Sequence, residues 1–185
     1  MDGRRKLFLS LMLGVAVLHA GALTGGFVWD DHTIIEANPD VRSLASVPEM
    51  FTRNYFDDRA DSELFRPLVN VTLALDTALG GGEPRPLVFH ITNLLLHLAA
   101  GLLLYGLFLR LALPAGVAEV AALIFLVHPA SAEPVAWIVG RGDLLAAVLG
   151  FATIHLHLSG RRRPWLHGLA VLVWLLALFG KLAAA

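Results

Sequence analysis

The chain has no cysteine, so neither a disulfide framework nor a thiolate metal site is open to it. A protein without thiols is compatible with either redox environment. Charge is also scarce. Charged residues make up 16% of the 185, and 14 basic against 15 acidic side chains leave a net charge of −1. That balance argues against nucleic acid as the main partner. The sequence shows no internal repeat, no low-complexity tract and no glycine-rich phosphate loop. What is present is apolar. The composition is 57% hydrophobic with a mean hydropathy of +0.69, well above a soluble domain. The excess lies in long runs, so the class is an integral membrane protein.

An uncharged run over 7–28 follows Arg4, Arg5 and Lys6, and roughly 20 apolar residues suffice to cross a bilayer core. A secretory signal peptide is the competitor, because small residues at Ala20, Gly21 and Ala22 resemble a cleavage site. The length of the run and the spans that follow favour an uncleaved anchor with a cytoplasmic N-terminus at 1–6. Further runs predict spans over 87–111, 115–128, 143–159 and 165–181, with a cytoplasmic loop over 160–164 rich in arginine. The expected fold is therefore an all-α, polytopic transmembrane helix bundle of about five spans. The residues over 181–185 read like codes left by a cloning site, and the chain reads as an N-terminal piece of a larger protein.

Residues 29–86 form a large first extracytoplasmic loop holding most of the acids, among them Asp57, Asp58, Asp61, Glu63 and Asp76. Short membrane-surface helices are expected within it, over 47–55 and 68–79. Asn70-Val71-Thr72 matches a glycosylation sequon by pattern alone. A second outer loop over 129–142 carries Pro129 and Pro134, which are expected to break any continuous helix.

This topology brings Asp30, Asp31, Arg66, His128, Glu133, Arg141 and Asp143 to one non-cytoplasmic face. Charges that persist at membrane depth usually work or pair. Adjacent carboxylates can act as a general base, a divalent-ion ligand, or both. A guanidinium fork suits phosphate oxygens. A structural alternative has Asp30 capping the next segment and Arg141 pairing with Asp143. His90, Asn93 and His97 are spaced three and four apart, so they share one helix face and should point into the bundle as interhelical hydrogen-bonding groups. His155 and His157 do not share a face and make a poor metal pair.

Five motifs occur in order over nearly the whole chain: F-V-W-D-D-H at 27–32, N-P-D-V at 38–41, F-R-P-L at 65–68, F-H-I-T-N-L-L-L-H at 89–97, and H-P-x-x-x-E-P-V-A-W-I-V-G-R-G-D-L-L at 128–145. Together they resemble the membrane-embedded O-mannosyltransferase family with tetratricopeptide repeats, the cadherin-targeting type and its bacterial relatives, within the GT-C glycosyltransferases. The resemblance implies a partial GT-C fold and inverting transfer of a sugar, mannose by family expectation. The donor would be a polyprenyl- or dolichyl-phosphate sugar, the acceptor a protein hydroxyl or another hydroxyl, and the active face periplasmic, extracellular or lumenal. It makes one of Asp30 and Asp31 the general base, with a slight preference for Asp31, and the other an orienting or metal-binding partner for Mg or Mn. It assigns the donor phosphate to Arg66, Arg141 and His128, with Arg141 first, and supporting places to Glu133, Asp143, His90, Asn93 and His97. The family's fifth span usually continues into Lys-Glu, whereas Lys181 is followed here by Leu182. The later spans and the repeats are absent, so the fragment alone is expected to be inactive. Two other readings compete. One is a transporter segment in which His90, His97, His155 and His157 line a path; the other is a non-catalytic scaffold for a repeat domain.

Overall fold

The structure is a computed structural model that describes residues 3–55 and 64–181. The acids Asp57, Asp58, Asp61 and Glu63, the residues 182–185, and the side chains of Arg4, Arg5 and Lys6 lie outside what is described. The described elements are helical: α1 (Gly3–Leu18), α2 (Val47–Met50), α3 (Pro67–Leu79), α4 (Pro86–Arg110), α5 (Ala115–Val127), α6 (Pro129–Ala136), α7 (Arg141–Gly160) and α8 (Trp165–Lys181). Pro67, Pro86 and Pro129 each sit in the first turn of their helix, where a missing N–H removes no hydrogen bond. Gly81 and Gly82 both take φ of +90° in the turn between α3 and α4, a conformation that other residues rarely adopt.

Close approaches between helices set the directions of packing. A Cβ added to Gly101 of α4 would lie 2.6 Å from the Leu126 side chain of α5, so these neighbours run antiparallel. Asn93 and Arg110 of α4 bond to Arg141 and Ser159 of α7 respectively, so these two run parallel. Gly142 faces Gly180, and Gly160 faces His167, which makes α7 and α8 antiparallel. The start of α4, the end of α5, α6, the start of α7 and the end of α8 therefore share one end of the bundle. The first-loop segment packs onto that end through a core of Ile34, Ile35, Val41, Tyr55, Val69, Leu73, Phe89, Ile138, Val139 and Leu145.

Gly142→Ala is expected to destabilise the fold by about 1–3 kcal/mol, because its Cβ would overpack the α7–α8 contact. That Cβ would sit 2.9 Å from the Gly180 carbonyl oxygen, a backbone atom with no rotamer to move. Gly150→Ala, in the middle of the same helix and with nothing within 4 Å, is the control. It should be neutral or stabilising by about 0.5–1 kcal/mol. Thermal melting of both variants in detergent checks the pair.

Several expectations need correction. Two helical segments, Pro86–Arg110 and Ile138–Gly160, are long and apolar enough to cross a membrane, and Ala115–Val127 with Pro129–Ala136 makes a third if that bent pair is one span. The helix α8 is apolar but has 17 residues. The span expected over 7–28 is not one helix: α1 ends at Leu18 and a 3-10 turn follows over Ala20–Thr24. Gly21 falls in that turn and Gly25 and Gly26 follow it, and glycine favours leaving the helix. The second loop is mostly helical, because Pro134 lies inside α6. Pro129 does make the expected break: the extended backbone of His128 before it turns α6 by 54° from α5. In the first loop the expected helix over 47–55 closes after Met50. The sequon residue Asn70 is buried in α3.

Candidate functional site at the loop end of the bundle

Asp30 and Asp31 open a helical turn that widens into a π-helical turn over His32–Glu36. Just before them, Trp29 takes a left-handed φ of +48°, which an L side chain adopts at some cost in strain. The two acids then differ sharply. Asp31 is fully buried, and its Oδ2 accepts from the Val28 N–H (3.1 Å) while Oδ1 accepts from the Val139 N–H (3.1 Å). The second bond ties the first loop to the segment entering α7. Asp30 is half-buried.

Burial pushes the Asp31 carboxyl above its ordinary range, against those backbone N–H bonds, which pull the other way. The folded chain therefore holds this proton to a higher pH than the unfolded chain does. The stability this contributes is fully present below the usual aspartate value of about 3.9 and is lost as pH rises through the folded-state value. Melting curves across pH should accordingly show wild type losing stability as pH rises through the folded-state value, a descending limb that Asp31→Asn lacks.

Tyr55 is buried beside these acids, and its hydroxyl is held un-ionised first by burial. Its ionisation is influenced, after burial, by Arg66, Arg141, Asp31 and Asp30 in that order. Arg66 precedes α3 and stacks its guanidinium 5.4 Å from the centre of the Tyr55 ring. It is half-buried, and its Nε is buried with no hydrogen-bond partner among the described residues.

Arg141 is fully buried at the start of α7. Its Nη2 pairs with Asp76 Oδ2 of α3 at 2.6 Å and donates to the Phe89 carbonyl of α4 at 3.0 Å, and its Nε donates to Asn93 Oδ1 at 2.8 Å. Asp76 also accepts from the Thr92 hydroxyl at 2.8 Å. Asn93 Nδ2 faces the carbonyls of Pro134, Trp137 and Ile138 at 3.1–3.3 Å. One buried network thus joins α3, α4, α6 and α7 beneath the acids and Arg66.

No family model and no solved structure matches the chain. Curated proteins do. The chain is 34% identical over 170 residues to Protein O-mannosyl-transferase Tmtc1 of Drosophila melanogaster, which covers 88% of this chain. It is 38% identical over 150 residues to Protein O-mannosyl-transferase TMTC1 of Homo sapiens, covering 74%. It is 30% identical over 167 residues to Protein O-mannosyl-transferase F38B6.6 of Caenorhabditis elegans, covering 86%. The chain belongs to the TMTC family of protein O-mannosyl-transferases. It spans 19%, 17% and 24% of these three relatives, or about a fifth of their length.

Not every residue expected at a TMTC site joins the cluster. His128 and Glu133 are exposed, and His128 Nδ1 accepts from the Ala130 N–H to cap α6. Asp143 is exposed and pairs with Lys181 of α8, not with Arg141. Residues two apart on a helix point to different faces, which separates Asp143 from Arg141. His90, Asn93 and His97 are all buried, as their shared face requires. His97 Nε2 bonds to the Leu126 carbonyl at 2.9 Å, and His155 Nε2 to the Leu103 carbonyl at 2.8 Å. His157 instead packs its ring 4.8 Å from His167.

The possible divalent ion finds little support in this TMTC chain. Among the described residues no three histidine or acidic side chains converge as a metal site. Asp31 already accepts a backbone N–H on each oxygen. Sequence reasoning missed Asp76 and Tyr55 as members of the site. Asp76 is the one charged residue of α3, and that isolation is the signal that could have marked it.

Proposed function

We propose that this chain forms part of the catalytic end of a GT-C glycosyltransferase that moves a sugar from a polyprenyl- or dolichyl-phosphate donor to a hydroxyl of a protein acceptor on the extracytoplasmic side. Mannose is the sugar favoured by the names of the relatives. The observation that carries the reading is that Asp31 bonds to Val139 at the entry to α7 while Arg66 stacks on Tyr55 and reaches Gly142, the neighbour of Arg141, at one end of the helices.

In this reading the acceptor oxygen attacks the anomeric carbon while the bond from that carbon to the phosphate oxygen breaks. The bonding pair leaves with the lipid phosphate, and the acceptor proton passes to a carboxylate. Asp30 is the better placed base, because Asp31 is buried with both oxygens engaged. Asp31 positions the loop. Arg66 is the half-buried cation whose fork suits the leaving phosphate. Arg141 supports the site from below through Asp76 and Asn93.

The test uses the full-length protein in membranes with a labelled polyprenyl-phosphate sugar, comparing wild type with Asp30→Asn and Arg66→Gln. Transfer by wild type that is lost in Asp30→Asn supports the reading. Asp30→Asn transferring at the wild-type rate would remove Asp30 as base, and inert wild type with every donor would leave the scaffold reading. Arg66→Gln is expected to weaken donor binding, seen as a raised KM, by roughly tenfold or more, as for loss of a charge-assisted bond.

A further inference from the structure

A second charged feature lies at the other end of the bundle. The turn between α7 and α8 carries Arg161, Arg162 and Arg163, all exposed, and Arg110 ends α4 beside it. These four arginines line a cleft of about 620 Å³ together with Ser159 and Leu166. Arg110 is fixed in its wall, because Nη1 donates to the His155 carbonyl (2.8 Å) and to the Ser159 hydroxyl (2.7 Å). Among the described residues no carboxylate pairs with any of the four. Four unneutralised guanidinium groups around one cleft repel one another unless an anion sits among them.

Arg141 begins α7 and Gly160 ends it. Twenty helical residues rise about 30 Å, the thickness of a bilayer core. The helix Ile138–Gly160 is apolar enough to cross one, so the cleft lies at headgroup depth on the membrane face opposite the acidic site. Exposed Trp165 stands next to it, and tryptophan is enriched at that depth. The apolar side chains of Leu158 and Leu166 continue the wall.

We propose that this cleft binds the phosphate headgroup of an anionic phospholipid, with Arg110 as the fixed contact and Arg161, Arg162 and Arg163 closing over it. The guanidinium forks take phosphate oxygens, and the lipid's chains lie along the apolar surface of α4, α7 and α8. The site is separate from the proposed transferase site and does not depend on it.

The test is lipid retention by the chain in detergent, measured by native mass spectrometry with phosphatidylglycerol and phosphatidylcholine offered together. Wild type is expected to retain phosphatidylglycerol in preference. Arg161→Gln/Arg162→Gln/Arg163→Gln should weaken that retention on the order of tenfold to a hundredfold. Arg110→Gln, which leaves the basic turn intact, should weaken it on its own with helicity by circular dichroism unchanged. Equal retention of the two lipids by wild type, or undiminished retention in both variants, overturns the proposal. So does displacement of the lipid by millimolar inorganic phosphate, which would make the ligand a free anion.

Discussion

Replacing Arg141 with methionine is expected to destabilise the chain by about 3–5 kcal/mol, the usual result of removing one partner of a buried ion pair. The reason lies in what is left behind. Asp76 would keep its hydrogen bond from Thr92 but lose the guanidinium 2.6 Å away, in a site from which water is excluded. Asn93 Oδ1 and the Phe89 carbonyl would lose a donor in the same step. Adding Asp76→Asn to Arg141→Met removes the stranded charge, so the double variant should recover part of the loss. Thermal melting in detergent distinguishes the outcomes. An Arg141→Met protein that melts with wild type and loses only sugar transfer would return Arg141 to the donor phosphate, the role the sequence motif implies for it.

Asp30→Asn should lower transfer by about 10²–10⁴-fold while leaving the melting temperature near that of wild type, the range typical of losing a general base. Its side chain is half-buried, so removing the charge disturbs little packing. Asp31→Ala should show the opposite balance. It strands the Val28 and Val139 N–H groups, each worth about 1–3 kcal/mol when buried without a partner, and any loss of activity should follow loss of fold. Measuring transfer and melting on the same preparations separates a base from a positioning residue. If Asp31→Asn alone abolishes transfer at full stability, the two assignments must be exchanged.

Much of the architecture was readable from residue order, because apolar runs and proline positions act locally. The helices α4, α5 and α8 begin at or just after Pro86, Pro114 and Pro164, and α5 closes just before Pro129. The shared face of His90, Asn93 and His97 follows from helical spacing, and all three are buried. The length of the first span was misjudged for a complementary reason. Hydropathy registers that 7–28 is apolar, but not that the backbone leaves the helix at Leu18.

Partnership was the part that residue order could not supply. Local reasoning offered Asp143 to Arg141 and left Asp76 in an inventory of acids. The folded chain pairs Arg141 with Asp76 and Asp143 with Lys181. Likewise two adjacent aspartates are equivalent on paper. The fold buries one against Val28 and Val139 and leaves the other half-exposed.

By itself, then, the sequence determined that this is a helical membrane chain of the TMTC family, carrying acids and arginines between its apolar runs. Those features depend on composition, period and motif, which are properties of neighbours along the chain. Tertiary structure decided which charges meet, which are stranded from water and which stay accessible. Such choices rest on contacts between α3, α4 and α7 that form at the packed interface, where a hydrogen bond or ion pair is set by distance in space and not by separation in sequence.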